Sequence, residues 1–131
     1  MLSWTLDPGR RDRHGIALAV SGVNDCAYCR SAHYYAAATF CHMLASEIAR
    51  CARGRSSNDK RQAAVSFAKK VTETRGKVAD ADLAAVRQAG HTDSQIIETV
   101  SLSAQFLPTN FINNVARTDL GFPAPPAAEI G

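Results

Sequence analysis

Three residues in the stretch NDCAYCRSAH, positions 24 to 33, are of types that do chemistry: Cys26, Cys29 and His33. On a helix turning about 100° per residue, Cys29 lies about 60° from Cys26 and His33 projects between them, so all three share one narrow face. Two thiols on one turn can close a disulfide, and an imidazole one turn beyond Cys29 can stabilise its thiolate or carry its proton. At a helix start Cys26 also feels the positive end of the dipole, which favours a thiolate there. The combination suits a thiol that attacks a peroxide, becomes a sulfenic acid and is resolved to a disulfide by its neighbour.

The same residues could begin a metal site, with Cys41, His42 or Cys51 as a fourth ligand. No second Cys-x-x-Cys exists, and no histidine follows His42 at three to five residues, so the ligand set stays incomplete. The stretch is also built of helix formers rather than the tight glycine-bearing turns that hold zinc. Neither a metal nor an organic cofactor is called for. Cys41, Cys51, His42 and His91 stand outside any motif spacing, and packing is their expected role, His91 falling in a loop before a helix cap.

These residues need helices to position them, and the chain reads as helical nearly throughout. Alanine abounds, apolar residues recur at three and four, and strand alternation is almost absent. A first helix opens near Asp12 and runs through HGIALAVSGV; a second, capped by Asn24 or Asp25, runs through CAYCRSAHYYAAATF. CHMLASEIARCARGR reads as a short helix closed by Gly54. After Ser57 or Asn58 comes an amphipathic helix with Ala64, Phe67, Ala68 and Val71 as its stripe and Gly76 as its stop. Two more helices are capped at Asp80 and at Thr92 or Asp93, and Pro108 breaks or kinks the chain before a last piece, TNFINNVART. The tail GFPAPPAAEIG reads as extended and frayed.

A chain of 131 residues, 46% of them hydrophobic, can bury one core, which sets a single all-α domain as the expectation. No apolar run reaches the ~18 residues of a membrane span, and the first fifteen residues lack a signal-peptide pattern, so a soluble, cytoplasmic protein with no membrane partner is expected. Fifteen basic against twelve acidic residues leave a charge of only +3, and the arginines form just two short clusters, Arg10, Arg11, Arg13 and Arg50, Arg53, Arg55. That is too sparse for a nucleic-acid stripe and reads as solvated surface.

The stretch ALAVSGVNDCAYCRSAH resembles the alkylhydroperoxidase D-like (AhpD-like) branch of the carboxymuconolactone decarboxylase superfamily, in which a helix ends just before Cys-x-Tyr-Cys-x-x-x-His. The segment from RGRSSNDKRQ to SLSAQ is similar to the downstream helices of single-domain members, and TNFINNVARTDLGFP to their closing segment, so the likeness spans residues 10 to 123. The resemblance implies an all-helical fold that assembles into homo-oligomers, trimers or hexamers. It also implies a thiol-dependent peroxidase that turns over a hydroperoxide at the expense of a thiol or dithiol reductant. Cys26 and Cys29 then cycle through a disulfide and His33 belongs to a proton relay; Cys29, one turn from His33, is the expected attacking thiol and Cys26 its resolver.

One departure bears on the relay. The family places a glutamate twelve residues before the first cysteine, and here that position is His14. A carboxylate fixes a histidine tautomer and raises its basicity, whereas a second imidazole does so less well and repels His33 once either is protonated. Either His14 takes over as base, Asp12 or Asp25 substitutes in space, or the activity is weak or directed elsewhere. Two other functions fit the same fold: a decarboxylase acting on a lactone of aromatic catabolism, which needs no paired cysteines, and a non-catalytic oligomeric binding protein with a degraded relay.

Overall fold

The computed structural model describes residues 10–122, so most of the tail expected to fray, residues 123–131, lies outside it. The described residues form seven helices and no strand: α1 (Arg11–Val23), α2 (Ala27–Phe40), α3 (Ala45–Ala52), α4 (Asp59–Thr74), α5 (Asp80–Gln88), α6 (Asp93–Gln105) and α7 (Leu107–Ala116). The all-α, single-domain expectation holds.

Helix α1 is the centre of the fold because its sequence from Gly15 onward is apolar or small all round. Every residue from Gly15 to Ser21 is buried, and α2, α3, α4 and α6 pack about it. Ile16, Leu18 and Val20 are fully buried, each worth about 1.5–3 kcal/mol in transfer from water. Small residues set how close the neighbours come. A Cβ on Gly22 would lie 2.4 Å from the Ala52 carbonyl oxygen, so only glycine lets α1 and the end of α3 meet there. A second apolar cluster of Phe67, Val71, Val86 and Ile96 joins α4, α5 and α6.

One buried ionic network fastens three helices. Arg61 on α4 donates from Nε to Asp12 of α1 at 2.6 Å and from Nη1 to Glu47 of α3 at 3.0 Å. Glu47 also accepts from the Ser57 backbone N–H at 2.9 Å and from the Ser56 and Ser57 hydroxyls. These bonds hold the Glu47 carboxyl below its ordinary range although burial pushes it upward.

Most helix ends follow the sequence signals, with instructive exceptions. Asn58 caps α4 through its side chain, and Thr92 and Gln95 bond each other's backbone at the start of α6. The cap of α5 is Ala79 rather than Asp80, its N–H bonded by Asp82. The left-handed stop after α4 begins on Arg75, φ 56°, before Gly76, φ 85°. The helical run breaks at Phe106, just before Pro108 as expected, and Pro108 itself sits in the first turn of α7, where its missing N–H costs nothing.

Candidate active site

The four residues singled out in the sequence sit where α1, α2, α6 and α7 approach one another. The turn between α1 and α2 is sharp because Asp25 adopts the left-handed conformation, φ 49°, which aspartate tolerates better than most residues. The cap of α2 is then neither Asn24 nor Asp25 but Cys26, with extended backbone and its sulfur accepting from the Cys29 N–H at 3.2 Å. Cys26 thus stands at the threshold of the helix instead of inside its first turn. Both cysteines are buried, Cys26 completely and Cys29 with 4% of its surface open.

Helix α7 locks this turn through asparagines that the sequence reading passed over. Asn110, 1% exposed, bonds the Ser21 hydroxyl at 3.1 Å and accepts from Asn24 at 3.0 Å, while Asn114 donates to the Asn24 carbonyl at 2.9 Å. The Asn113 amide lies 3.9 Å from the Cys29 sulfur, a long contact of the kind sulfur accepts. Their signal in the sequence is the spacing of Asn110, Asn113 and Asn114 on one helix face, by a residue type that is a poor helix former unless its side chain has work elsewhere.

Cys29 and His33 line a cavity of about 300 Å3, shared with Tyr28, Phe106, Thr109 and Asn113. Cys26 and His14 do not line it. Phe106 meets the His33 ring edge-on, centroids 5.3 Å apart. Behind His33 stands His14, whose Nδ1 is 3.0 Å from His33 Nδ1. Two nitrogens at that distance share one proton: one ring donates Nδ1–H and the other accepts through its lone pair. If His33 is the donor, its Nε2 is left as a free base; if His14 is, His33 Nε2 carries a proton instead.

The electrostatics favour neutral groups. Burial, then the His14 ring, then Arg13 push His33 down to about 4. Burial, with Arg13 and Arg10 adding to it, lowers His14 as well. The Cys26 thiol is pushed up to about 11, by burial first and by its side-chain partner Cys29 second, against the smaller opposing pull of the Cys29 N–H and Arg30. The thiolate that the helix dipole alone would favour at Cys26 is therefore overridden by desolvation. Of the two aspartates expected as possible stand-ins for a relay carboxylate, Asp12 is held by Arg61 and Asp25 pairs with Arg30 at 3.1 Å on the surface.

The alternative ligands go elsewhere. Cys41 and Cys51 are core residues, and His42 is exposed in a left-handed turn. Buried His91 bonds the Lys60 carbonyl at 2.9 Å from the loop before the Thr92 cap. Among the described residues no three histidines, cysteines or carboxylates gather as a metal would need.

No protein-family model matches the chain, and no curated protein does. Solved structures do. The fold is similar to that of an uncharacterized peroxidase-related protein from Silicibacter sp. TM1040, with a TM-score of 0.74 and 23% identity over 94% of this chain. It is also similar to the alkylhydroperoxidase AhpD core of an uncharacterized peroxidase-related protein from Ralstonia eutropha JMP134, with a TM-score of 0.72 and 24% identity over 93% of this chain. The chain spans 63% of the length of each. At such identities the likeness is one of fold, and the fold is AhpD-like.

Proposed function

We propose that the protein is a thiol-dependent peroxidase of the AhpD-like kind, with Cys29 as attacking thiol, Cys26 as resolver and His33 as proton carrier backed by His14. The observation that carries this reading is that Cys29 and His33 open onto one cavity while Cys26 bonds the Cys29 backbone from behind. His33, donating Nδ1–H to His14, takes the Cys29 proton on Nε2. The thiolate attacks a hydroperoxide oxygen and breaks the O–O bond, leaving Cys29 as sulfenic acid and releasing an alcohol once the departing alkoxide is protonated. The Cys26 thiol then displaces water from that sulfur to form the disulfide, and a dithiol reductant restores both thiols by becoming a disulfide itself.

Assembly as a trimer or hexamer belongs to the same reading. Its support is the apolar side chains that α7 leaves to solvent, Phe111, Ile112 and Val115. No described helix is long and apolar enough to cross a membrane, and a cytoplasmic setting, where thiol reductants abound, suits the chemistry.

The test is turnover of an alkyl hydroperoxide with a dithiol reductant by the wild type, Cys29→Ser and Cys26→Ser. Both variants lose sustained turnover, and Cys26→Ser alone retains one equivalent of sulfenic acid, detectable by mass after trapping. Unchanged turnover in both overturns the reading. Release of carbon dioxide from a carboxylated lactone, indifferent to thiol blockers, would put the decarboxylase in its place.

A further inference from the structure

A second cavity, of about 550 Å3, shares no lining residue with the one at Cys29. Four cationic side chains line it, Arg30 from the first turn of α2, Arg53 and Arg55 from the end of α3 and the loop after it, and Lys69 from α4, against the single carboxylate Glu73. In a chain whose basic and acidic residues are nearly balanced, this is a local concentration of positive charge. It was invisible in the sequence, where only Arg53 and Arg55 stand together.

The site is built rather than accidental. Gly22, where a Cβ would strike the Ala52 carbonyl, brings α1 against the end of α3 at the cavity wall. Gly54, at φ 77°, turns the chain between the two arginines, and its missing Cβ is filled by the Lys69 stem, whose Cδ would lie 2.7 Å away. Arg30 holds Asp25 through Nη1, yet its Nε is buried with no hydrogen-bond partner among the described residues. Arg30 is held in place at the cavity wall by that ion pair.

We propose that this cavity binds a phosphorylated small molecule, a phosphate monoester or diphosphate whose oxygens are held by Arg30, Arg53, Arg55 and Lys69. Several cations in one concavity ask for several negative charges, and guanidinium forks match phosphoryl oxygens in pairs. The volume lies within the roughly 300–1,000 Å3 of small-molecule sites. The charges converge on a bounded hollow and do not run out along a stripe interleaved with aromatics, as a nucleic acid would require.

Calorimetric titration of the full chain with inorganic pyrophosphate at low ionic strength tests the proposal. The expected result is one site per chain, weakened about tenfold or more in Arg53→Gln/Arg55→Gln. Glu73→Gln is expected to bind more tightly than the wild type, a change that a damaged fold does not mimic. Arg53, Arg55 and Glu73 are all exposed, so the variants keep the helical circular dichroism of the parent. Absence of binding, an affinity equal in the double variant, or a single-stranded oligonucleotide that outcompetes pyrophosphate overturns it.

Discussion

His14 and His33 face each other Nδ1 to Nδ1 at 3.0 Å. An imidazole partner offers an acceptor for the His33 N–H but carries no negative charge to stabilise the imidazolium that forms when His33 takes a proton. The His14 ring in fact helps to hold His33 down to about 4.

A carboxylate at position 14 should reverse this. In His14→Glu the His33 pKa should rise by a unit or more, about 1.4 kcal/mol per unit, as read by NMR titration of its ring protons. Peroxide turnover should rise about tenfold with it. His14→Leu, which leaves His33 Nδ1 without an acceptor, should lower turnover and not raise it. If His14→Glu titrates like the wild type, the two rings are not coupled as the geometry requires.

Histidines whose charged form the fold disfavours make stability depend on pH. His33 titrates near 6.5 when unfolded and is lowered to about 4 in the fold, so between those values the unfolded chain binds the extra proton. Its contribution is fully present above pH 6.5 and is lost as pH falls toward 4, by an amount on the order of a few kcal/mol. Urea midpoints at pH 7, 5.5 and 4.5 should fall in that order, and His33→Gln should flatten the slope.

Thiol reactivity should divide the cysteines. With Cys26 pushed up to about 11, its thiolate is scarce at pH 7, and Cys29 alone opens on the cavity. Brief alkylation at pH 7 followed by peptide mass analysis should label Cys29 ahead of Cys26. Labelling of Cys26 first would exchange their proposed roles.

Arg61 ties Asp12 to Glu47 inside the bundle. Arg61→Ala leaves two buried carboxylates without their cation and should cost about 3–5 kcal/mol in denaturant unfolding. Arg61→Lys should recover part of that, since an ammonium's donors all leave one nitrogen and do not reproduce the spread of Nε and Nη1 toward two carboxylates.

Asn110→Ala should cost about 1–3 kcal/mol by stranding Ser21 and Asn24, and should loosen the turn that carries Cys26. Faster hydrogen exchange at the Cys29 N–H, which bonds the Cys26 sulfur, is the accompanying signature.

What the sequence determined by itself was whatever rests on local periodicity. The apolar stripe of α4, the Thr92 cap and the all-α class follow from spacing and side-chain chemistry within a turn or two. The nearness of Cys29 and His33 follows too, because residues four apart meet on any helix, whereas Cys26 sits at the cap outside α2 and does not line their cavity. Only the tertiary structure decided where competing local signals and distant chain segments meet. The sequence offers Asn24 or Asp25 as the cap of α2, yet Cys26 takes that place because the left-handed turn at Asp25, locked by Asn110 and Asn114, puts its sulfur over the Cys29 N–H. His14 and His33 lie nineteen residues apart. Their shared proton, like the convergence of Arg30, Arg53, Arg55 and Lys69, exists only because α1 is small and apolar enough to be packed on all sides, and sequence spacing carries no measure of that packing.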